Sequence, residues 1–215
     1  FVPSVSNELL SDPLTSWDRW IGFHYQGIMS MLLPMFLVIL CALSVFMEHR
    51  ANTWKMLYAL PIRKSVVYIS KLIVVILVFA YAHLIFVVLM LGLPFLMDAG
   101  LGFTSGSLFQ AGRLYMATLV SSLGILGFVY WVSYFARSFV LPLAVGILGF
   151  VSAQLIFDYQ LDPRFLPFTY PTMSLETVLH SHGHDPAYYL FSILFFLVIS
   201  LLGIWKAGSD WKKTY

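Results

Sequence analysis

Charge is scarce in this chain. Asp, Glu, Lys and Arg make up 10% of its 215 residues, where soluble domains carry roughly 25%. That shortage excludes a water-facing surface over a body of this size, and a 60% hydrophobic content points to a membrane protein. Cysteine is nearly absent too: Cys41 is the only one, which excludes an internal disulfide and says nothing about redox compartment. No G-x-x-x-x-G-K-[S/T] string occurs, so the chain does not cradle ATP phosphates itself. Only three glutamates are present, Glu8, Glu48 and Glu176. None is paired and none lies in an apolar run, which argues against an intramembrane metalloprotease. A net charge of +2 gives no reason to expect nucleic acid. Polar–apolar alternation is missing from runs such as 72–79, which argues against a β-barrel.

What is there is a series of stretches free of Asp, Glu, Lys and Arg: 20–47, 72–97, 114–136, 138–157 and 186–205. Each is long enough for a helix, at about 1.5 Å per residue, to cross roughly 30 Å of hydrocarbon. A helix also satisfies its own backbone hydrogen bonds, which lipid cannot do. The fold class expected is therefore an all-α membrane protein with five transmembrane helices, forming one transmembrane domain over 1–215. The segments 48–71, around 137 and 206–215 hold nine of the twelve Lys and Arg residues, and the opposite segments hold eight of the ten acids. The positive-inside rule then places 48–71 and the C-terminus in the cytoplasm, and 1–25 and 158–185 outside. The chain starts with Phe1 rather than Met. An outside N-terminus without a signal peptide leads to the expectation of one more transmembrane helix ahead of Phe1, six in all, with Trp17, Trp20 and Tyr25 at headgroup level.

The link between the third and fourth stretches is minimal. Arg137 stops one helix, Ser138 caps the next, and the two spans must be antiparallel neighbours. Gly124, Gly127, Gly146 and Gly149 supply small faces for close helix packing, and Pro34 and Pro142 are positions where helices could kink. No internal repeat or low-complexity segment is present.

Residues 48–71 form an island of charge with five of the twelve basic residues. Asn52 or Thr53 can cap a short helix in which Trp54, Leu57 and Tyr58 fall on one face at i, i+3 and i+4. Pro61 stops it, and Ser65 can cap the next helix. The product is a short helix across the cytoplasmic ends of two spans, with Lys55, Arg63 and Lys64 around an aromatic-aliphatic face. One reading is membrane anchoring, since Trp and Tyr favour the interface and Lys and Arg favour anionic lipid. The other is docking into a groove of a cytoplasmic partner. Glu48 either bonds amides near Thr53, pairs with Arg50 or Lys71, or simply ends the hydrophobic run.

Glu48, then Asn52, Thr53, Trp54 and Lys55, then Leu60, Pro61, Ile62 and Arg63, then Tyr68 and Lys71, together resemble the cytoplasmic loop of ABC-2 type transporter permeases. The pattern is most similar to the lantibiotic-immunity and peptide-exporter branch. The turn at 135–138 and the six-helix plan fit as well. The resemblance covers the chain in topology and is specific over 48–71; it departs in lacking the family's first helix and N-terminal interfacial helix. It implies a coupling helix resting in a cleft of an ATPase subunit, with Glu48, Thr53, Trp54, Lys55, Leu57, Tyr58, Leu60, Pro61 and Arg63 as coupling residues. It further implies an ATPase subunit dimer that binds ATP and Mg, a second permease subunit (homo- or heterodimer), an inner (plasma) membrane location and export of a lipophilic or peptide cargo. This chain itself would hold no cofactor and would not be an enzyme.

Other residues stand outside that pattern. His83 sits mid-span near Tyr81; it is either a substrate-path group or a neutral imidazole bonded to a neighbouring helix. Gln154 is the second such candidate. Met29, Met31, Met35, Phe36, Phe86 and Met90 could line an adaptable lipophilic path or simply fill gaps and face lipid. His180, His182, His184 and Asp185 form an outer imidazole cluster with metal-ligand chemistry, but only one segment supplies it, and a solvated loop is the favoured reading. A membrane-embedded metal-dependent enzyme using those histidines, or a non-transporting scaffold, are the alternative functions. Residues 171–180 read as a short helix lying on the external surface, and 102–106 as a flexible external loop.

Overall fold

The computed structural model describes residues 27–50, 63–96, 105–136, 138–180 and 187–209. All regular structure among them is helical: α1 (Gly27–Arg50), α2 (Lys64–Leu96), α3 (Ser105–Phe135), α4 (Val140–Asp158), α5 (Tyr170–His180) and α6 (Ala187–Ser209). Two 3-10 turns, Pro163–Phe165 and Pro167–Thr169, join α4 to α5. Helices α2, α3, α4 and α6 are each long and apolar enough to cross a membrane, and α1, 24 residues long, carries a shorter apolar stretch, Met31–Met47. The chain is an all-α, multi-pass membrane protein, because helices of this length and composition have no other solvent that suits them.

Helices α2 and α3 begin well before their charge-free stretches do. Helix α2 begins at Lys64, eight residues before the apolar run, and the Arg63 carbonyl accepts from the amides of Val66 at 2.9 Å and Val67 at 3.4 Å. Ser65 is therefore inside the first turn and is not the cap. Helix α3 begins at Ser105, so Ser105 and Gly106 are helical rather than part of a loop. Lys64 and Lys71 lie within α2, Arg113 within α3 and Lys206 within α6; a long cationic side chain packs its methylene stem along a helix, so a charge does not end one. At the start of α4 the Ser138 hydroxyl accepts from the Val140 amide at 3.2 Å, but the N-cap position is Phe139, which makes no side-chain cap bond, so Ser138 lies one residue ahead of the cap rather than at it. Pro142 is the third residue of α4. It removes no intrahelical bond there and is not a kink. Pro34 is interior to α1.

Helix α3 is the axis of the bundle and touches every other helix. Of its most apolar window 61% is buried, against 28% for α2 and 17% for α4 and α6. The difference follows from its sequence: Ala117, Thr118, Ser121, Ser122, Gly124, Gly127 and Ser133 are small and buried, and small residues let helix backbones approach in lipid. The other helices turn their Leu, Ile and Val outward, as lipid permits.

Two crossings show how tight this packing is. A Cβ on Gly146 of α4 would collide with the Val38 side chain of α1, and one on Gly203 of α6 would collide with the Tyr68 ring of α2. Gly146→Leu is accordingly expected to force α1 from α4 and destabilise the bundle by about 1–3 kcal/mol. The check is the thermal midpoint of the detergent-solubilised protein; a midpoint equal to wild type would remove the close crossing.

Candidate functional site

Four chain segments meet at one end of the bundle. Tyr68, one turn into α2, packs against Tyr130 (centroids 5.1 Å apart, tilted), Tyr134 (4.8 Å, edge-on) and Phe135 (6.4 Å, stacked) at the end of α3. The Tyr130 hydroxyl donates to the Tyr68 carbonyl at 3.0 Å, and Gly203 near the end of α6 admits the Tyr68 ring. Phe46, near the end of α1, packs on Phe139 at 5.3 Å. Lys206 lies 4.3 Å from the Phe135 ring centroid and 5.3 Å from that of Trp131, a cation–π pair of contacts. Arg63, Lys64, Lys71 and Lys206 thus share one end, as the charge pattern requires. The start of α2, one flank of the 48–71 island, is held by this aromatic knot. Thr53, Trp54, Lys55, Leu57, Tyr58, Leu60 and Pro61 lie outside the described residues, Glu48 is in α1 and Arg63 is exposed at the foot of α2.

Further along, α1 and α2 enclose a groove of about 250 Å³, lined by Leu32, Leu33, Phe36, Phe79, Ala82, His83 and Phe86. His83 is buried within this apolar set. The i, i+3 and i+4 geometry of α2 puts Phe79 and Phe86 on its face: the imidazole is nearly parallel to Phe79 (5.8 Å, 14°) and Phe86 (6.5 Å, 7°). From α3, Tyr115 stacks on the same imidazole at 5.2 Å and 13°, and its hydroxyl donates to the Ala80 carbonyl at 3.2 Å. Three aromatic rings therefore fix one polar group in the wall of an oily groove. Leu32 and Phe36 are exposed on its rim, so among the described residues the groove opens on the outer surface of the helix pair. Chemically it suits an apolar body with one hydrogen-bonding group. The two candidate path residues are not brought together: His83 lines the groove, while Gln154 is exposed on α4 and is no part of its wall. Of the Met and Phe set, Phe36 and Phe86 line it, Met90 is buried in the core and Met31 is exposed.

At the opposite end, α5 is a helix, as expected, and one face of it is buried against the bundle while Thr172, Met173, Glu176 and Thr177 are half-buried. Leu175 is fully buried and Pro171, Ser174 and Val178 are buried with it. The reason is a hydroxyl seam that the sequence reading missed. The Ser174 hydroxyl donates to the Ser121 hydroxyl at 2.9 Å, tying α5 to α3. Ser192 of α6 accepts from the Gly124 amide at 2.9 Å and directs its own hydroxyl toward the carbonyls of Ser121 (2.8 Å) and Val120 (2.9 Å). The legible signal was Thr118, Ser121 and Ser122 at i, i+3 and i+4 inside an apolar run. Ser192→Ala is expected to cost about 1 kcal/mol, read as earlier unfolding in a denaturing-detergent titration; no change would make the seam incidental. Before α5 the Tyr170 hydroxyl donates to the Arg164 carbonyl at 2.9 Å, and burial pushes its pKa up, keeping it a donor. His180 ends α5, while His182, His184 and Asp185 lie outside the described residues.

A sequence comparison matches residues 7–153, more than half of the chain, to a family described as "ABC-2 family transporter protein". No curated protein and no solved structure matches the chain.

Proposed function

Because the chain belongs to the ABC-2 transporter family, as a transmembrane permease of an ABC transporter, we propose that it works in an ATP-driven exporter of a lipophilic or amphipathic cargo, such as a peptide. The family match carries the transport role. The groove of about 250 Å³ walled by leucine, phenylalanine and one fixed imidazole supports an oily cargo, and the lantibiotic-immunity resemblance of 48–71 supports a peptide. ATP and Mg are held by a separate ATPase chain, in two copies, and a second permease subunit completes the path. Residues 48–71 face the cytoplasm. The short helix carrying Thr53, Trp54, Lys55, Leu57, Tyr58 and Leu60, bounded by Glu48, Pro61 and Arg63, seats in the ATPase.

Force then has a physical route. Closure of the ATPase pair on nucleotide displaces the short helix. Its two roots are the end of α1 and the start of α2, and Tyr68 locks the latter to α3 and α6. Motion at the roots therefore passes into rigid helices and changes the α1–α2 groove, where His83 and Phe36 face the cargo.

Reconstitution tests this. The permease in lipid nanodiscs turns over no ATP alone. With an ATPase encoded beside it, turnover appears, depends on Mg and rises with an acylated fluorescent peptide. Turnover that never rises above that of the isolated ATPase would refute the transporter reading.

A further inference from the structure

At the end of the bundle opposite Arg63 and Lys64, three helices meet around a cleft of about 320 Å³. It is lined by Arg113, Met116, Ala117 and Val120 of α3, Val178 of α5 and Tyr189 of α6. The α3 residues recur at i, i+3, i+4 and i+7, so they form one stripe along the helix. Arg113 is exposed at the head of that stripe, Met116 is exposed next along it, and Ala117 and Val178 are buried. Spacing gives the depth. Phe135, the last residue of α3, marks the far boundary. Counting back from it, about 30 Å of hydrocarbon at about 1.5 Å per residue takes roughly 20 residues and reaches Tyr115. Arg113 then lies at headgroup level, while Met116, Ala117 and Val120 lie beside acyl chains. Tyr189, in the first turn of α6, marks the same level, since tyrosine favours the membrane–water boundary. Among the described residues no Asp or Glu lines the cleft; Glu176 of α5 is half-buried and is not part of its walls.

We infer that this cleft holds an anionic glycerophospholipid, with its phosphate on Arg113 and an acyl chain along Met116 and Val120. A guanidinium presents paired N–H groups that match two phosphate oxygens. Set against apolar surface, it requires an anion. The walls of the cleft supply no carboxylate, and the headgroup layer supplies phosphate at this height. Met116 suits the acyl chain, because an unbranched thioether adapts to a chain of variable shape. A free phosphate ion would use Arg113 alone, whereas a phospholipid uses the cation and the apolar stripe together. Because α3, α5 and α6 all contribute walls, a lipid seated here braces α5 against the bundle. The inference stands on lining and depth. It depends neither on the cargo nor on which side of the membrane this end faces.

Native mass spectrometry of the full chain, released from nanodiscs of mixed phosphatidylcholine and phosphatidylglycerol, tests it. Wild type and Arg113→Lys are expected to retain phosphatidylglycerol after phosphatidylcholine is stripped. Arg113→Gln is expected to retain about fivefold less, the effect of one cation near a headgroup. Met116→Trp fills the stripe from an exposed position while keeping the charge, and is expected to lose the lipid to a similar degree, so the result does not hang on how Arg113→Gln folds. Retention at the wild-type level by Arg113→Gln or by Met116→Trp, no preference over phosphatidylcholine, or displacement by millimolar inorganic phosphate would each overturn the site.

Discussion

Trp54→Ala combined with charge reversal at Lys55 and Arg63 is expected to release the ATPase from the permease almost completely, while the helical bundle stays folded. The reason is the distribution of energy in small docking surfaces. A buried aromatic anchor dominates such contacts and costs about 2 kcal/mol or more when truncated. Cations at the rim steer association, and reversing them adds like-charge repulsion. The α2 flank of their segment is held: the Tyr68 ring sits among Tyr130, Tyr134 and Phe135. The substitutions leave Tyr68, Tyr130, Tyr134 and Phe135 in place, so bundle stability is expected within about 0.5 kcal/mol of wild type. The check is the amount of ATPase recovered on tagged permease, alongside the thermal midpoint. Full recovery of ATPase would leave membrane anchoring as the role of Trp54.

Filling the His83 groove is the second large effect. Ala82→Trp places an indole in a space of about 250 Å³ otherwise walled by Leu32, Leu33, Phe36, Phe79, His83 and Phe86. Transport of an acylated fluorescent peptide into inverted vesicles is expected to fall at least roughly tenfold, as a loss of about 1.4 kcal/mol or more of cargo binding would give. ATPase docking should be untouched, because the groove is far along α2 from Arg63. His83→Ala removes the polar group without closing the space and breaks its stacking with Tyr115 at 5.2 Å. It is expected to weaken selection between acylated peptides differing in one hydrogen-bonding group more than it slows the best of them. Unchanged transport by Ala82→Trp would show that cargo takes another route, such as the exposed face of α4 that carries Gln154.

The helices were legible because lipid imposes one rule: a long stretch without Asp, Glu, Lys or Arg must be helical. Their ends were less legible, because Lys64 and Arg113 lie within helices and a charge does not end one. The buried side of each span was the hardest to read. In lipid a leucine facing outward costs nothing, so hydrophobic periodicity does not mark the core. Small and hydroxylated residues mark it instead, and Ser121, Ser174 and Ser192 carried that information without being recognised. The glycines were read correctly as packing devices, since Gly146 meets Val38 and Gly149 meets Phe168. His83 was singled out as an ionisable group within a span, but the aromatic stack that fixes it joins α2 to α3, and no single-helix pattern contains that. For α5 the sequence reading gave the helix but not its partner: Ser174 and Leu175 turn one face of it against α3.

Site-directed photocrosslinking tests the central claim most directly. The native cysteine, Cys41, is buried, so Cys41→Ser gives a clean background in which Tyr58→Cys carries a benzophenone. Illumination of the assembled complex is predicted to join this permease covalently to the ATP-hydrolysing chain, with a yield that changes on adding nucleotide. Adducts with phospholipid alone, while the ATPase is present and active, would contradict the account.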